Sequence, residues 1–373
     1  MASSTHEHEH EHQLHHLPTP YGTTAAPPPT PNNNNLLSTS EAADSLTRLL
    51  HRIPPTLSLS FPGRRLQQSP PSTTISPPLL SLSDPKTALH SNLLSAAKQN
   101  GFFQLTQHPI SSQLAQSAES ESLSIFNLSN DEKHFCFPKN WPLGFDNDDD
   151  DFGQSFCLDS TELGLTSLRE FTFQMEKLGL EVIQELACAV GFENPVREDR
   201  TRFCSLMWIS ESESNRPLSL GRLYPYIVGL NYQIRRRKYS ILADSGWVSV
   251  SPQMDSVMVT LGDIAQVWSN GKLKKVRGRP VPTTSIDAVE TNSSSSKSHC
   301  VSMTLLITLA HDNTVCPLLP SLSTVLNKED DGDNISVDEE EIPMFNSFSF
   351  EDYAWRIYHE RLLLKDPLAR FRA

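Results

Sequence analysis

Thirteen histidines and six cysteines are the side chains with which this 373-residue chain could hold a metal or act as a nucleophile, and they are unevenly placed. Six histidines fall in HEHEHEHQLHH, from His6 to His16. Imidazole suits Zn(II), Ni(II) and Cu(II), so this run could buffer metal. The plainer reading is a solvated tail with adventitious affinity, because such a run fixes no geometry. His299, His311 and His359 are the histidines of the last third. His299 lies in a serine-rich stretch and His359 on an expected helix, so both read as surface residues. His311-Asp312 could be a displaced metal pair, but neighbours on a strand point to opposite faces. A metal site built from what remains would need His311 to converge with Asp244 or Asp263. No H-x-D or H-x-E occurs in the chain, and no histidine lies between His134 and His299. The cysteines form no C-x-x-C, which fits free thiols in a reducing compartment. Cys300 could be reactive, but a buried inert thiol is the default on a strand. The basic run Arg235-Arg236-Arg237-Lys238 reads as a solvated hairpin or as a patch for an acidic partner. Lys274, Lys275, Arg277 and Arg279 would enlarge that patch if the two strands met.

The elements that must position these groups change character along the chain. Thirteen of the 27 prolines precede residue 79, a density that excludes helices and central strands, so residues 1–74 are expected to be a disordered tail. A helical region is expected over 75–202. Its first helix should start at Asp84-Pro85, with Asp84 as N-cap, and stop at Gly101. A strand is expected over Phe102–Thr106, a helix from Ser111/Ser112 to Phe126, and a longer helix over Leu168–Val190 with apolar steps of three and four. From Phe203 the texture becomes strands in series: Phe203–Ile209, Leu223–Val228, Leu230–Leu242, Trp247–Val250, Ser256–Thr260, Gln266–Trp268, Lys274–Val276 and Cys300–Leu309. Strands without intervening helices imply an antiparallel sandwich or barrel over 203–320. A serine-rich loop over 281–299 would interrupt it. An acidic linker over 321–345 and a carboxy-terminal helical segment over 346–373 complete the plan. The net charge of −13 argues against nucleic acid as a partner, and no apolar run approaches the roughly 20 residues of a membrane span. The amino terminus has no apolar signal core and no Lys or Arg before Arg48, so the cytoplasm is the expected location, with the nucleus also compatible.

Several strings resemble the plant isopenicillin-N-synthase-like family of Fe(II)/2-oxoglutarate-dependent dioxygenases, which includes the gibberellin oxidases. GFFQLTQHPI (Gly101–Ile110) is similar to that family's G-F-F-Q-V-x-N-H-G-I, and LSNDEKHF (Leu128–Phe135) to its L-P-x-E-K segment. LACAVGF (Leu186–Phe192) resembles its L-A-x-x-L-G-L helix. WVSVSP followed by SVMVTLGDIAQVWSNGKLKKV (Ser256–Val276) resembles its W-x-x-V-x-P and V-V-N-x-G-D-x-x-Q-x-W-S-N-G-x-x-K-S-V. The resemblance covers about residues 75–373. It implies an α+β fold: a double-stranded β-helix, or jelly roll, behind a helical amino-terminal region.

The resemblance also implies an iron site of H-x-D and a distal histidine, with an R-x-S arginine for 2-oxoglutarate. Here LYPYIVGLNYQIR (Leu223–Arg235) passes directly from the Y-Y-P string to the V-G-G-L-Q-V string, as if the H-x-D stretch had been deleted and a strand lost. KKVRGRPV (Lys274–Val281) places Gly278 at the distal-histidine position. Cys300-Val301-Ser302 keeps the serine of R-x-S and replaces its arginine, leaving Ser302 as a vestigial cofactor contact. On this reading no catalytic or metal-binding residue and no cofactor is expected. The chain would act by binding a small apolar ligand or a protein partner. The alternative is an active 2-oxoglutarate-dependent oxygenase of plant hormone or secondary metabolism, with Fe(II) on non-standard ligands. A third reading is a metal buffer or scaffold acting through the His/Glu tail.

Overall fold

The computed structural model describes residues 74–148, 153–161, 163–195, 199–212, 222–283, 300–318, 343–360 and 366–373. The expected tail up to residue 73, His299, nearly all of the serine-rich loop and the acidic stretch 327–341 lie outside them.

The chain opens with two short strands, β1 (Thr74–Ile75) and β2 (Leu79–Ser81). Helix α1 (Lys86–Gln99) begins one residue later than expected and has no side-chain cap. Pro85 is itself the N-cap, extended at ψ 134°, and Asp84 is spent in a turn, its amide donating to the Ser81 carbonyl. β3 (Phe102–Thr106) follows as expected. In α2 (Ser112–Phe126) the Ser111 hydroxyl accepts from the Leu114 amide, an N-cap that satisfies one orphan donor. A capping box of Ser129 and Glu132 starts α3 (Asn130–Cys136). A hairpin of β4 (Gly144–Asp148) and β5 (Gly153–Asp159) comes next, so the region 75–202 is less purely helical than its composition suggested. Helix α4 (Thr166–Val190) buries Leu168, Phe171, Met175, Leu178, Val182 and Leu186, the stripe expected from their spacing.

The strand series is β6 (Phe203–Ser212), β7 (Val228–Tyr232), β8 (Lys238–Ala243), β9 (Gly246–Val250), β10 (Val257–Leu261), β11 (Val276–Thr283) and β12 (Cys300–Leu309). The larger sheet runs β2-β3-β10-β7-β12-β6-β5-β4 and the smaller β1-β9-β8-β11. Tyr239 and Ile241 from the smaller sheet pack with Phe102 and Met258 from the larger in one buried cluster, so the two sheets close face to face. Three expectations are corrected. Gln266–Trp268 is not a strand but the end of helix α5 (Asp263–Trp268), where the Gln266 amide bonds the Gly262 carbonyl. Leu223–Val228 is extended chain rather than a strand up to Val228, where β7 begins. Leu230–Leu242 is two strands in different sheets, β7 in the larger and β8 in the smaller.

The last correction relocates the string that leads into WVSVSP. β8 forms the hairpin with β9 that carries Trp247 and Val248, so Tyr239–Leu242, not Val228–Gln233, leads into WVSVSP. Of the chain between β6 and β7 the described part is 222–227, which is bonded to β11 through the Tyr226 hydroxyl and the Arg279 guanidinium.

β13 (Thr314–Val315) pairs with β14 (Phe348–Ser349), which leads into α6 (Phe350–Glu360) and a short 3-10 turn, Pro367–Phe371.

Candidate functional site

The stretch 222–227 is held from several sides. The Ile227 amide donates to the Ile307 carbonyl (2.8 Å) on β12, and the Thr308 hydroxyl donates to the Pro225 carbonyl (2.8 Å). The amides of Gly262 and Ile264, at the start of α5, donate to the carbonyls of Ile227 and Tyr226 (2.9 and 3.2 Å). A Cβ on residue 262 would run into the Tyr226 carbonyl, which is why the G-D turn needs glycine. The Tyr226 hydroxyl is buried within hydrogen-bond reach of the carbonyls of Val276 (2.9 Å) and Gly278 (3.0 Å) on β11. Burial pushes its phenol well above the usual range, so it stays a neutral donor.

Gly278 sits where the register of β11 against β8 shifts, between Arg277 and Val281, with φ +68°. That is left-handed backbone, natural for glycine and strained for a side chain that would ligate a metal. The bulge also turns the next side chain inward. Arg279 is 8% exposed and lies 3.8 Å over the Trp208 ring of β6, and it donates to the Arg222 carbonyl (2.9 Å). Burial lowers its pKa to about 10, which leaves it charged at neutral pH.

Around this pair lies an aromatic group. Tyr224 reaches His311 Nε2 at 3.1 Å, and His311 stacks on Trp141 with ring centres 4.8 Å apart. The Arg222 guanidinium lies 5.2 Å over Tyr358, and its Nε is 3.3 Å from Asp146, which also holds Lys139 at 2.7 Å. Cys157, paired with Trp208 across the sheet, is fully buried, and burial raises its thiol far above the reactive range. Cys204 is raised to about 12 in the same way.

The sequence-derived candidates are scattered. Ser302 lies on β12 opposite Ser210, 3.3 Å from Asn231 Nδ2, in a cleft of about 20 Å³ that also touches Glu119, Arg235 and Arg237. That is room for a water rather than an organic acid. Cys300 is the first residue of β12. His311 and Asp312 occupy a turn after β12, not a strand. Asp244 accepts from Gln266 (3.1 Å) and from the Lys275 amide (3.2 Å), while Asp263 faces the Lys275 ammonium at 3.0 Å. Neither carboxylate joins His311, and among the described residues no three His, Cys, Asp or Glu side chains converge so as to hold a metal ion. The described residues at this end of the barrel do not fit an iron centre. The enlarged basic patch is not formed either: Lys275 is buried against Asp263 and Asp366, Arg277 pairs with Asp366, and Arg279 points inward. Arg235 is engaged by Glu119 of α2. His359 lies tilted against Trp355 on α6, ring centres 4.6 Å apart. Sequence reasoning did not single out Arg222, Tyr224, Tyr226 or Trp208, and it placed Arg279 on the surface. Only the turn around Gly278 could have hinted otherwise.

The barrel is a jelly roll flanked by amino-terminal helices, with the stretch 222–227 bonded to β11. Residues 75–149 match the family described as the non-haem dioxygenase in morphine synthesis N-terminal, and residues 225–287 match the 2OG-Fe(II) oxygenase superfamily. Over these two stretches the chain is similar to the 2OG-Fe(II) oxygenases. Gibberellin 2-beta-dioxygenase 2 of Arabidopsis thaliana is 22% identical over 250 residues, 58% of this chain and 72% of that protein. The oxoglutarate-dependent flavonoid 7-O-demethylase 1 of Ocimum basilicum is 25% identical over 265 residues, 57% and 68% of the two chains. Among solved structures, JOX2 in complex with 2OG, Fe and JA superposes with TM-score 0.63 at 14% identity, covering 81% of this chain and 90% of that one. The rice dioxygenase for auxin oxidation superposes with TM-score 0.58 at 17% identity, covering 80% and 100%.

Proposed function

We propose that this chain keeps the oxygenase barrel without its iron chemistry and works by binding a small molecule. The observation that carries this reading is the Arg279 guanidinium, buried beside Gly278 where the family resemblance expects a metal-binding histidine. A dication placed there would face a buried positive charge instead of an imidazole, and charge repulsion is strong where water is excluded. Loss of a single partner behind a metal ligand typically weakens binding by about tenfold to a hundredfold, and here the distal ligand itself is missing. The relatives' names, gibberellin 2-beta-dioxygenase and flavonoid demethylase, favour a plant small molecule as the ligand.

The test is turnover. Full-length protein whose six amino-terminal histidines are changed to glutamine is incubated with Fe(II), ascorbate and 2-oxoglutarate, and succinate is measured. No succinate above the protein-free control is expected. Repeated turnover would overturn the reading in favour of an active oxygenase with unconventional ligands, and gibberellin-like substrates would be tried next.

A further inference from the structure

Between β7 and β8 the chain crosses from the larger sheet to the smaller through four consecutive cations, Arg235, Arg236, Arg237 and Lys238. This turn is pinned at both ends. The Gln233 amide donates to the Ser256 carbonyl (2.9 Å), and the Gln233 carbonyl accepts from the Asp255 amide (2.8 Å). The Arg235 guanidinium takes both carboxylate oxygens of Glu119, which is buried on α2. Lys238 is registered opposite Thr283 on β11. Arg235 is therefore spent as an anchor, whereas Arg236, Arg237 and Lys238 form no ion pair among the described residues. The carboxylate of Asp255, beside the turn, accepts from the Tyr232 hydroxyl instead (3.1 Å). Arg236 is exposed, and Arg237 and Lys238 are half-buried.

Adjacent like charges repel, so an anion laid across the three relieves that repulsion as well as pairing with each. The net charge of −13 restricts which anion can do so. A long polyanion such as nucleic acid would also overlie acidic surface and be repelled there, whereas a short acidic segment meets the cations alone. A small organic anion finds no pocket, because the cleft beside Arg235 and Arg237 holds about 20 Å³, room for a water. The pinned turn needs little further ordering on binding, which lowers the entropic cost of association. We infer that Arg236, Arg237 and Lys238 form the docking site for an acidic segment of a partner protein. Its carboxylates pair with the two guanidinium groups and the ammonium. The inference uses neither 222–227 nor Arg279, so it is independent of the small-molecule reading.

The test measures binding of fluorescein-labelled hexaglutamate to the full chain at low and at physiological salt. Hexaserine and a short single-stranded DNA serve as controls. Saturable binding of hexaglutamate is expected, weakening as salt rises, with none of hexaserine. Arg236→Gln combined with Arg237→Gln should weaken it about tenfold, the scale of two exposed charge pairs. Lys98→Gln combined with Lys177→Gln removes the same charge from exposed positions on α1 and α4 and should leave binding unchanged. Should the arginine double variant fail to fold, Arg236→Gln alone, at an exposed position, should still show part of the loss. Absence of hexaglutamate binding, an equal loss in the lysine variant, or DNA binding as tight as hexaglutamate would overturn the inference. So would self-association in sedimentation that the arginine substitutions abolish, because the occupant would then be a second copy of this chain.

Discussion

The Lys275 ammonium, with no solvent exposure, lies 2.6 Å from the Asp366 carboxylate, tying the barrel strand β11 to the carboxy-terminal 3-10 turn. Asp263 faces the same ammonium at 3.0 Å, as an ion pair without hydrogen-bond alignment. Removing one member of a buried pair leaves the others uncompensated, so Lys275→Met is expected to cost about 3 kcal/mol. Thermal unfolding measures the loss, and hydrogen exchange should show the amides of 366–372 losing protection first.

The same pair sets an acid limit. Burial alone would raise the Asp366 pKa, but the Lys275 ammonium, by charge and hydrogen bond, and Arg277 outweigh it and hold the carboxyl below its ordinary value. A folded-state pKa below the unfolded value of about 3.9 means the stabilisation is complete above that pH and fades as pH falls through the folded value. Acid titration of the thermal midpoint should therefore show a fall below about pH 4 that is smaller in Lys275→Met. An unchanged acid limb in the variant would contradict this role.

Gly262→Ala should disturb the candidate site from outside it. The added Cβ meets the backbone carbonyl of Tyr226, which cannot swing away as a side chain can. A cost of about 1–3 kcal/mol is expected, together with faster exchange of the Ile227 amide that now bonds Ile307. Full stability would show that 222–227 is not clamped as described.

Gly278→His restores the side chain that the family resemblance calls for, in backbone that disfavours it. At φ +68° a non-glycine residue costs about 1–2 kcal/mol, a fall of a few degrees in the thermal midpoint. The imidazole would enter beside the buried Arg279 cation, where no three His, Cys, Asp or Glu side chains converge among the described residues, so no iron binding is expected. Stoichiometric iron binding by this single variant would contradict the geometry.

Much of the fold was legible because local pattern and final environment agree. Phe102–Thr106 and Cys300–Leu309 are strands with the bounds their apolar runs suggest, and Ser111 caps its helix as its type predicts. The misreadings have physical causes. Gln266–Trp268 is a β-like run that tertiary contacts hold in a helical turn, because the amides of Gly262 and Ile264 are needed by the carbonyls of 226–227. VGLNYQI resembles the string that leads into WVSVSP, but the strand that does so lies at Lys238–Ala243. The positive φ of Gly278 reverses the alternation of β11. Arg279 therefore points inward, and a residue counted as surface charge becomes the buried cation of the site.

Whether the barrel holds iron is decided by an anaerobic Fe(II) titration of the full chain with His6, His8, His10, His12, His15 and His16 changed to glutamine, with and without 2-oxoglutarate. A buried Arg279 beside Gly278 leads to no saturable stoichiometric site and no tightening by 2-oxoglutarate. One equivalent of iron held more tightly in the presence of 2-oxoglutarate, and released by His311→Ala, would show instead that a working metal centre exists.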